Sequence, residues 1–260
     1  MFDRVRLFAG GVLAAAVLTS SAAGALTLTE GGITMNIDRV DRSALATARL
    51  MKDDFLASQT VTNLHVETFS GHKAWDGTSG TSDPQNTNVG SFSAVGAAGT
   101  GKSVVNDGRS TEVRSDSTMH WGRYNTDLLG GNWLDSNDNK GMKWEISGLG
   151  SFNTLAFFVL DAADVGGKFS IKVGDTRFSD LASGQRLANG NIHFVRIALD
   201  AAVDNLTVFL RHDRTNDGFG VDGMMVGDMK PIPLPPAAFL LIGGLAALGG
   251  LRRRRRTATV

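Results

Sequence analysis

The chain reads as a mostly β protein, an antiparallel β-sandwich with one short helix near its start. Three observations predict this. Several segments alternate apolar and polar residues at a period of two; clusters of Gly, Asn, Asp and Ser separate them; and only one stretch of the body has helical spacing. No unit of 20 to 50 residues repeats, so solenoids and propellers are not supported.

The helical stretch is Asp41 to Ser58. Leu45, Ala48, Met51 and Phe55 recur at steps of three and four, and Asp41 or Ser43 can cap its start. Strands follow. Val61 to Phe69 places Val66 and Thr68 on one face and Glu67 and Phe69 on the other. Gly71 to Gly108 is rich in Gly and Ser and predicts long loops around short strands. Met142 to Ile146 and Thr154 to Leu160 resume the sheet. Within the second, Leu155 to Leu160 has no polar alternation, so it is expected to be covered on both faces or on most of its length. Phe169, Ile171 and Val173 then point one way, as do Val195, Ile197 and Leu199, and Leu206, Val208 and Leu210. Each segment offers one apolar side to a common core, which predicts two packed antiparallel sheets. A jelly-roll arrangement is favoured over a barrel because the long loops suit its crossings.

Both ends of the chain carry the marks of export. Arg4 and Arg6 precede an apolar stretch from Leu7 to Leu18, and Ala23-Gly24-Ala25 has the small-residue pattern of a signal-peptide cleavage site. Residues 1–25 are therefore expected to be a signal helix removed by signal peptidase, leaving Leu26 first. At the other end, Pro231-Ile232-Pro233-Leu234-Pro235-Pro236 leads into an apolar run from Ala237 to Leu251 and then into Arg252, Arg253, Arg254, Arg255 and Arg256. Ile232 to Leu251 is long enough for a transmembrane helix of roughly 20 residues. The arginines should stay cytoplasmic, leaving the body, residues 26–230, on the far side of the membrane.

Composition narrows the partners. There is no cysteine, so no disulfide framework supports the fold. A body of roughly 200 residues can instead rely on its apolar core. The whole chain has 26 basic and 26 acidic residues. The two terminal signals hold seven of the basic ones and one acidic, so the body has 19 against 25 and a net charge near −6. That balance argues against nucleic acid or anionic lipid as a partner.

Several motifs invite chemical readings. Gly96-Ala97-Ala98-Gly99-Thr100-Gly101-Lys102-Ser103 matches the phosphate-loop pattern, which works only where a helix N-terminus completes the cradle. Val104-Val105-Asn106-Asp107-Gly108 follows and runs into a turn, so no phosphate loop is expected. Asp135-Ser136-Asn137-Asp138-Asn139-Lys140-Gly141 spaces oxygen ligands at alternate positions. It has Lys140 and Ile146 where a helix–loop–helix calcium site needs Gly and Glu. A polar surface turn is the commoner use of such a sequence, and a looser calcium turn stays open beside it. His65, His72, His120, His193 and His212 lack zinc-site spacing, and no G-x-S-x-G marks a hydrolase serine. No catalytic residue is singled out. Trp75, Trp121 and Trp133 are candidates for stacking on sugars from the loop-rich half, while Trp144 alternates with Met142 and Ile146 and belongs to the core.

Two resemblances extend this reading. The order proline motif, apolar segment, arginine cluster resembles the sorting tails of bacterial surface proteins processed by exosortases (the PEP-CTERM group). Ile232-Pro233-Leu234-Pro235 is most similar to its VPLPA variant. The resemblance implies an exosortase-type processing enzyme as partner, with delivery to the cell surface or the extracellular polysaccharide. Asn216-Asp217-Gly218-Phe219-Gly220-Val221-Asp222-Gly223 resembles the closing strand of carbohydrate-binding-like jelly rolls. In several of those families the acid at the place of Asp222 holds a structural calcium ion with an acid from an early Phe-Glu step. Here Phe69 is followed by Ser70, and Glu67 lies two residues earlier; a plain Asn-Asp-Gly turn is the other reading. The function expected is a structural or glycan-binding β-sandwich without catalysis and without a required cofactor, calcium being the one candidate ion. A surface hydrolase acting on polysaccharide is the alternative.

Overall fold

A computed structural model describes residues 25–115, 120–126, 131–179, 181, 186–214 and 216–231. The signal residue Ala23, the sorting motif from Ile232 to Pro235, the apolar run and the arginines Arg252 to Arg256 lie outside the described residues. Among the described residues no helix is long and apolar enough to cross a membrane.

The expected mostly β architecture is present. The strands are β1 (Ala25–Glu30), β2 (Ile33–Val40), β3 (Gln59–Glu67), β4 (Ser91–Val95), β5 (Glu112–Arg114), β6 (Trp133–Asp135) and β7 (Gly141–Ile146). They continue as β8 (Phe152–Leu160), β9 (Phe169–Val173), β10 (Thr176–Phe178), β11 (Ile192–Val203), β12 (Leu206–His212) and β13 (Gly220–Pro231). One sheet has the order β1-β2-β11-β8-β13-β6-β5, with β3 also paired to β13; the other has the order β10-β9-β12-β7-β4. Every pairing is antiparallel.

The helix α1 spans Leu45–Ala57 after a short 3-10 turn at Arg42–Ala44. Neither Asp41 nor Ser43 caps it through a side chain, contrary to expectation. The 3-10 turn displaces the helix start past both residues, and the Ala44 amide bonds to the Asp41 carbonyl instead.

The middle of the larger sheet is covered on both sides, which explains the unbroken apolar run in β8. Leu155, Phe157 and Val159 enter the core between the sheets with Met35, Val195, Trp144 and Ile171. Ala156, Phe158 and Leu160 point the other way, into a second core under α1 with Ala48, Phe194 and Met225. The Phe158 and Phe194 rings lie 5.0 Å apart, and Phe55 of α1 meets Phe194 edge-on at 6.0 Å. β11 alternates Val195 and Ile197 inward as expected. Its other face is covered at its start, where Ile192 and Phe194 lie under the helix, and exposed from Ala198 on. β13 is the central strand. β8 runs along one side of it, and β6 then β3 along the other. A register shift between Asp222 and Met225 keeps Val221 and Met224 in the inter-sheet core while Met225 faces α1.

The two-sided burial of β8 has a measurable consequence. Phe157→Ala and Phe158→Ala should each destabilise the domain by about 3–5 kcal/mol in denaturant titrations, because each leaves a cavity in a closed core. A strand with one wet face would lose little from one of the two changes.

Candidate functional site

The loops at one end of the sandwich converge where β6 and β8 end and β13 begins. Gly220 is the cross-strand partner of both Asp135 and Leu160, so the residues next to these positions are forced together. The segment from Asp135 to Asn139 is buried throughout, not a surface turn. The glycine-rich loop explains the burial, because it folds over this segment and bonds to it. The Val105 amide donates to Asn137 Oδ1 at 2.9 Å, and the Ser103 hydroxyl donates to Asp138. As expected, no helix follows Ser103; turns do. The phosphate-loop lookalike is a cover for a buried polar cluster.

An arginine at the centre of that cluster makes it tolerable. Arg123 Nη1 lies 2.6 Å from Asp135 Oδ1 and 3.0 Å from Asp138 Oδ1, and Arg114 Nε lies 3.3 Å from Asp135 Oδ2. All four residues are buried. Burial works against the charge on Arg123, but Asp135, Asp138 and Asp161 outweigh it and hold the guanidinium charged. The packing admits no side chain at two glycines. A Cβ on Gly218 would meet Arg123 Nη1 at 1.9 Å, and one on Gly122 would meet Asp161 Cγ at 2.3 Å.

Outside this network opens a cavity of about 250 Å³. Asp138, Asp161, Asp164 and Asp217 supply carboxylates, Asn216 an amide, and Trp121 and Val165 apolar surface. Trp121 is 58% exposed and Val165 48%, so the rim is greasy where the floor is charged. A tight bridge between His120 and Arg123 presents the indole, with Trp121 at a φ of +52°. Asp161 Oδ1 accepts the Gly190 amide at 2.7 Å, yet burial, reinforced by Asp164 and Asp217, pushes its carboxyl up to about 8. Burial and the neighbouring Asp217 carboxylate raise Asp164 to about 7. On the far side of Asp217, His212 Nε2 lies 2.6 Å from its Oδ2. The Arg214 amide donates to His212 Nδ1, which leaves the ring hydrogen on Nε2 facing Asp217.

The structure separates the other candidates. Trp133 is fully buried beside Gly220 and presents no face to a sugar, because β6 is covered on both sides. Trp144 is fully buried, as expected, with Nε1 donating to the Val89 carbonyl. Trp75 is half-buried and does not line the cavity. Ala25 begins β1, opposite Asp38.

Asp222 is buried on the strand face that also carries Phe158, its cross-strand partner. Its Oδ2 accepts the Thr126 amide at 2.8 Å and hydroxyl at 2.7 Å, and Oδ1 accepts the Gly223 amide at 2.7 Å. Burial raises its carboxyl to about 6. Glu67 is likewise occupied, by the amides of Phe69 at 2.5 Å and Asn88 at 2.9 Å. These oxygens already serve protein donors, so the pair does not fit a calcium ion. Among the described residues no group of three or more His, Asp or Glu side chains is placed to hold a metal.

Arg123, Asp161 and Asp164 drew no attention in the sequence. The one available signal was position: Asp161 follows directly on the unbroken apolar run Leu155 to Leu160, at the end of a strand.

Two outcomes follow from the geometry. Arg123→Met leaves Asp135 and Asp138 buried without their partner and should cost about 3–5 kcal/mol in chemical denaturation. Asp161 holds its proton more tightly folded than unfolded, so between about pH 4 and pH 8 the native state binds the extra proton and this group's contribution falls as pH rises. Asp161→Asn should therefore raise Tm at pH 8 by a few degrees, on the order of 1–2 kcal/mol, and the gain should vanish near pH 4. Comparison with protein-family models, with characterised proteins and with solved structures gives no match, so the chemistry of this end of the sandwich rests on its own geometry.

Proposed function

We propose that this is an exported protein, sorted to the cell surface or extracellular matrix by an exosortase-type system, whose jelly-roll-like sandwich binds glycan without cleaving it. The exposed indole of Trp121, standing with Val165 over a floor of carboxylates and an amide, is the observation that carries the binding half. A flat ring takes the apolar face of a pyranose, while the Asn216 Nδ2 group can donate to its hydroxyls and the Asp164 and Asp217 oxygens accept from them.

The sorting half rests on the order of parts at the two ends. Removal of residues 1–25 would leave Leu26, the second residue of β1, as the first of the chain. Ile232 follows directly on Pro231, the last residue of β13 and the partner of Gln59, so a tail cut near Pro233 would leave the sandwich intact. Signal peptidase and an exosortase-type enzyme are the processing partners in this reading, with the membrane holding the precursor by Ala237 to Leu251. The extracellular polysaccharide is the final partner.

One observation favours the second reading, a polysaccharide hydrolase. Asp161, its carboxyl pushed by burial up to about 8, shares a cavity with Asp138, Asp164 and Asp217, and glycoside cleavage uses a pair of carboxyls of which one holds its proton near neutrality.

Glycan-array binding by the detergent-solubilised full chain should fall at least about tenfold in Trp121→Ala with the far-UV spectrum unchanged. Retained binding would remove the Trp121 cavity as the site. Release of reducing ends from a bound glycan, lost in Asp161→Asn, would replace the binding reading by the hydrolase. Mass spectrometry of the protein from its native host should find Leu26 first and a C-terminus near Pro233 to Pro235.

A further inference from the structure

A second cavity lies on the other side of His212 from the acidic one and has the opposite charge. It measures about 430 Å³ and is lined by Lys140, Lys168, Arg177 and Arg211, with Ser170 and Ser179 between them. Strand geometry assembles it. Phe169, Ile171, Phe178 and Leu210 fill the inter-sheet core, so the residues alternating with them, Ser170, Arg177 and Arg211, stand on the outer face of the smaller sheet. Ser170 and Arg211 are direct cross-strand partners, and Arg177 Nη2 donates to Ser170 Oγ at 3.3 Å.

The charge is not balanced from within. Elsewhere on this sheet lysines have counter-ions: Lys143 lies 2.8 Å from Glu145 and Lys172 3.4 Å from Asp175. Among the described residues Lys140, Lys168, Arg177 and Arg211 have no ion pair. Among the described residues Asp213 is the one acid in the lining, and its Oδ1 is occupied by the Lys168 amide at 2.7 Å. Four cations and two hydroxyls around one concavity, on a body near −6, form a donor set without its acceptor.

We propose that this groove binds the carboxylates of an acidic polysaccharide. Guanidinium forks match carboxylate geometry, lysines add point charge, and the serine hydroxyls can serve ring oxygens and hydroxyls. The concavity has the size of one or two sugar residues. Duplex DNA and anionic membranes need a longer basic track, and the acidic remainder of the body repels both. The groove shares no residue with the Trp121 cavity, so it goes beyond the glycan reading and is separable from it.

The test is isothermal titration of the full chain in detergent with trigalacturonate, its methyl ester and neutral trigalactose, at low and at moderate salt. Trigalacturonate should bind, with affinity falling steeply as salt screens the site. Arg177→Ser with Arg211→Ser should weaken it about tenfold or more, and Lys168→Ser alone by less. All three side chains are exposed, so the far-UV spectrum should not change. Trp121→Ala should leave this affinity unaltered. Equal binding of the ester or the neutral trimer, full affinity in the arginine variant, or no binding of trigalacturonate would overturn the proposal. Tighter binding of a short DNA duplex or of phosphatidylglycerol vesicles would overturn it in favour of those partners. Loss of trigalacturonate binding in Trp121→Ala alone would move the acid sugar to the other cavity, ending this inference while the glycan reading stands.

Discussion

The buried ionic cluster around Arg123 organises the loop end of this protein. Asp135 and Asp138 could not be buried without a cation among them, since unpaired charges in a low-dielectric interior cost several kcal/mol each. With Arg123 and Arg114 in place, the cluster draws in two distant segments. Ser103 of the glycine-rich loop bonds to Asp138, Arg114 Nη2 reaches the Ser103 carbonyl, and Gly218 passes so close to Arg123 that no side chain fits. Loops with little apolar content are thereby held by polar contacts where a hydrophobic core could not reach them.

The rest of the sandwich is secured in the ordinary way, by apolar faces closing on one another. Its less usual feature is the third layer. One helix of modest length covers the middle of the larger sheet's outer face, so that β8 and the first half of β11 are buried on both sides. Among the described residues the smaller sheet has no such cover, and its outer face carries charge. The layer order thus explains why a basic groove lies on that sheet and an acidic, aromatic-rimmed cavity at the loop end, with the His212–Asp217 contact between them.

The strands legible in the sequence were those whose pattern is local. Alternation in Phe169 to Val173 and Leu206 to Leu210 identified the inward faces correctly, and the unbroken run in β8 marked double coverage. The helix was legible too, but its first turn was not, because a 3-10 turn shifts its start beyond the expected caps. The segment from Asp135 to Asn139 was misread as surface for a related reason. Polarity of sequence normally means solvent, and only the distant Arg123 and the overlying glycine-rich loop make burial possible. Trp133 and Trp121 look alike in sequence; one sits in a three-residue strand inside the fold, the other on an exposed turn.

The sequence by itself determined the strand faces and the one helix of the described residues, since each is written in the spacing of neighbouring residues. Tertiary structure alone decided which charges are buried and paired, which tryptophan meets solvent, and where the unbalanced cations gather. Those properties depend on the desolvation and mutual distance of groups far apart along the chain, such as Ser170 and Arg211 or Gly190 and Asp161, and no local pattern encodes them.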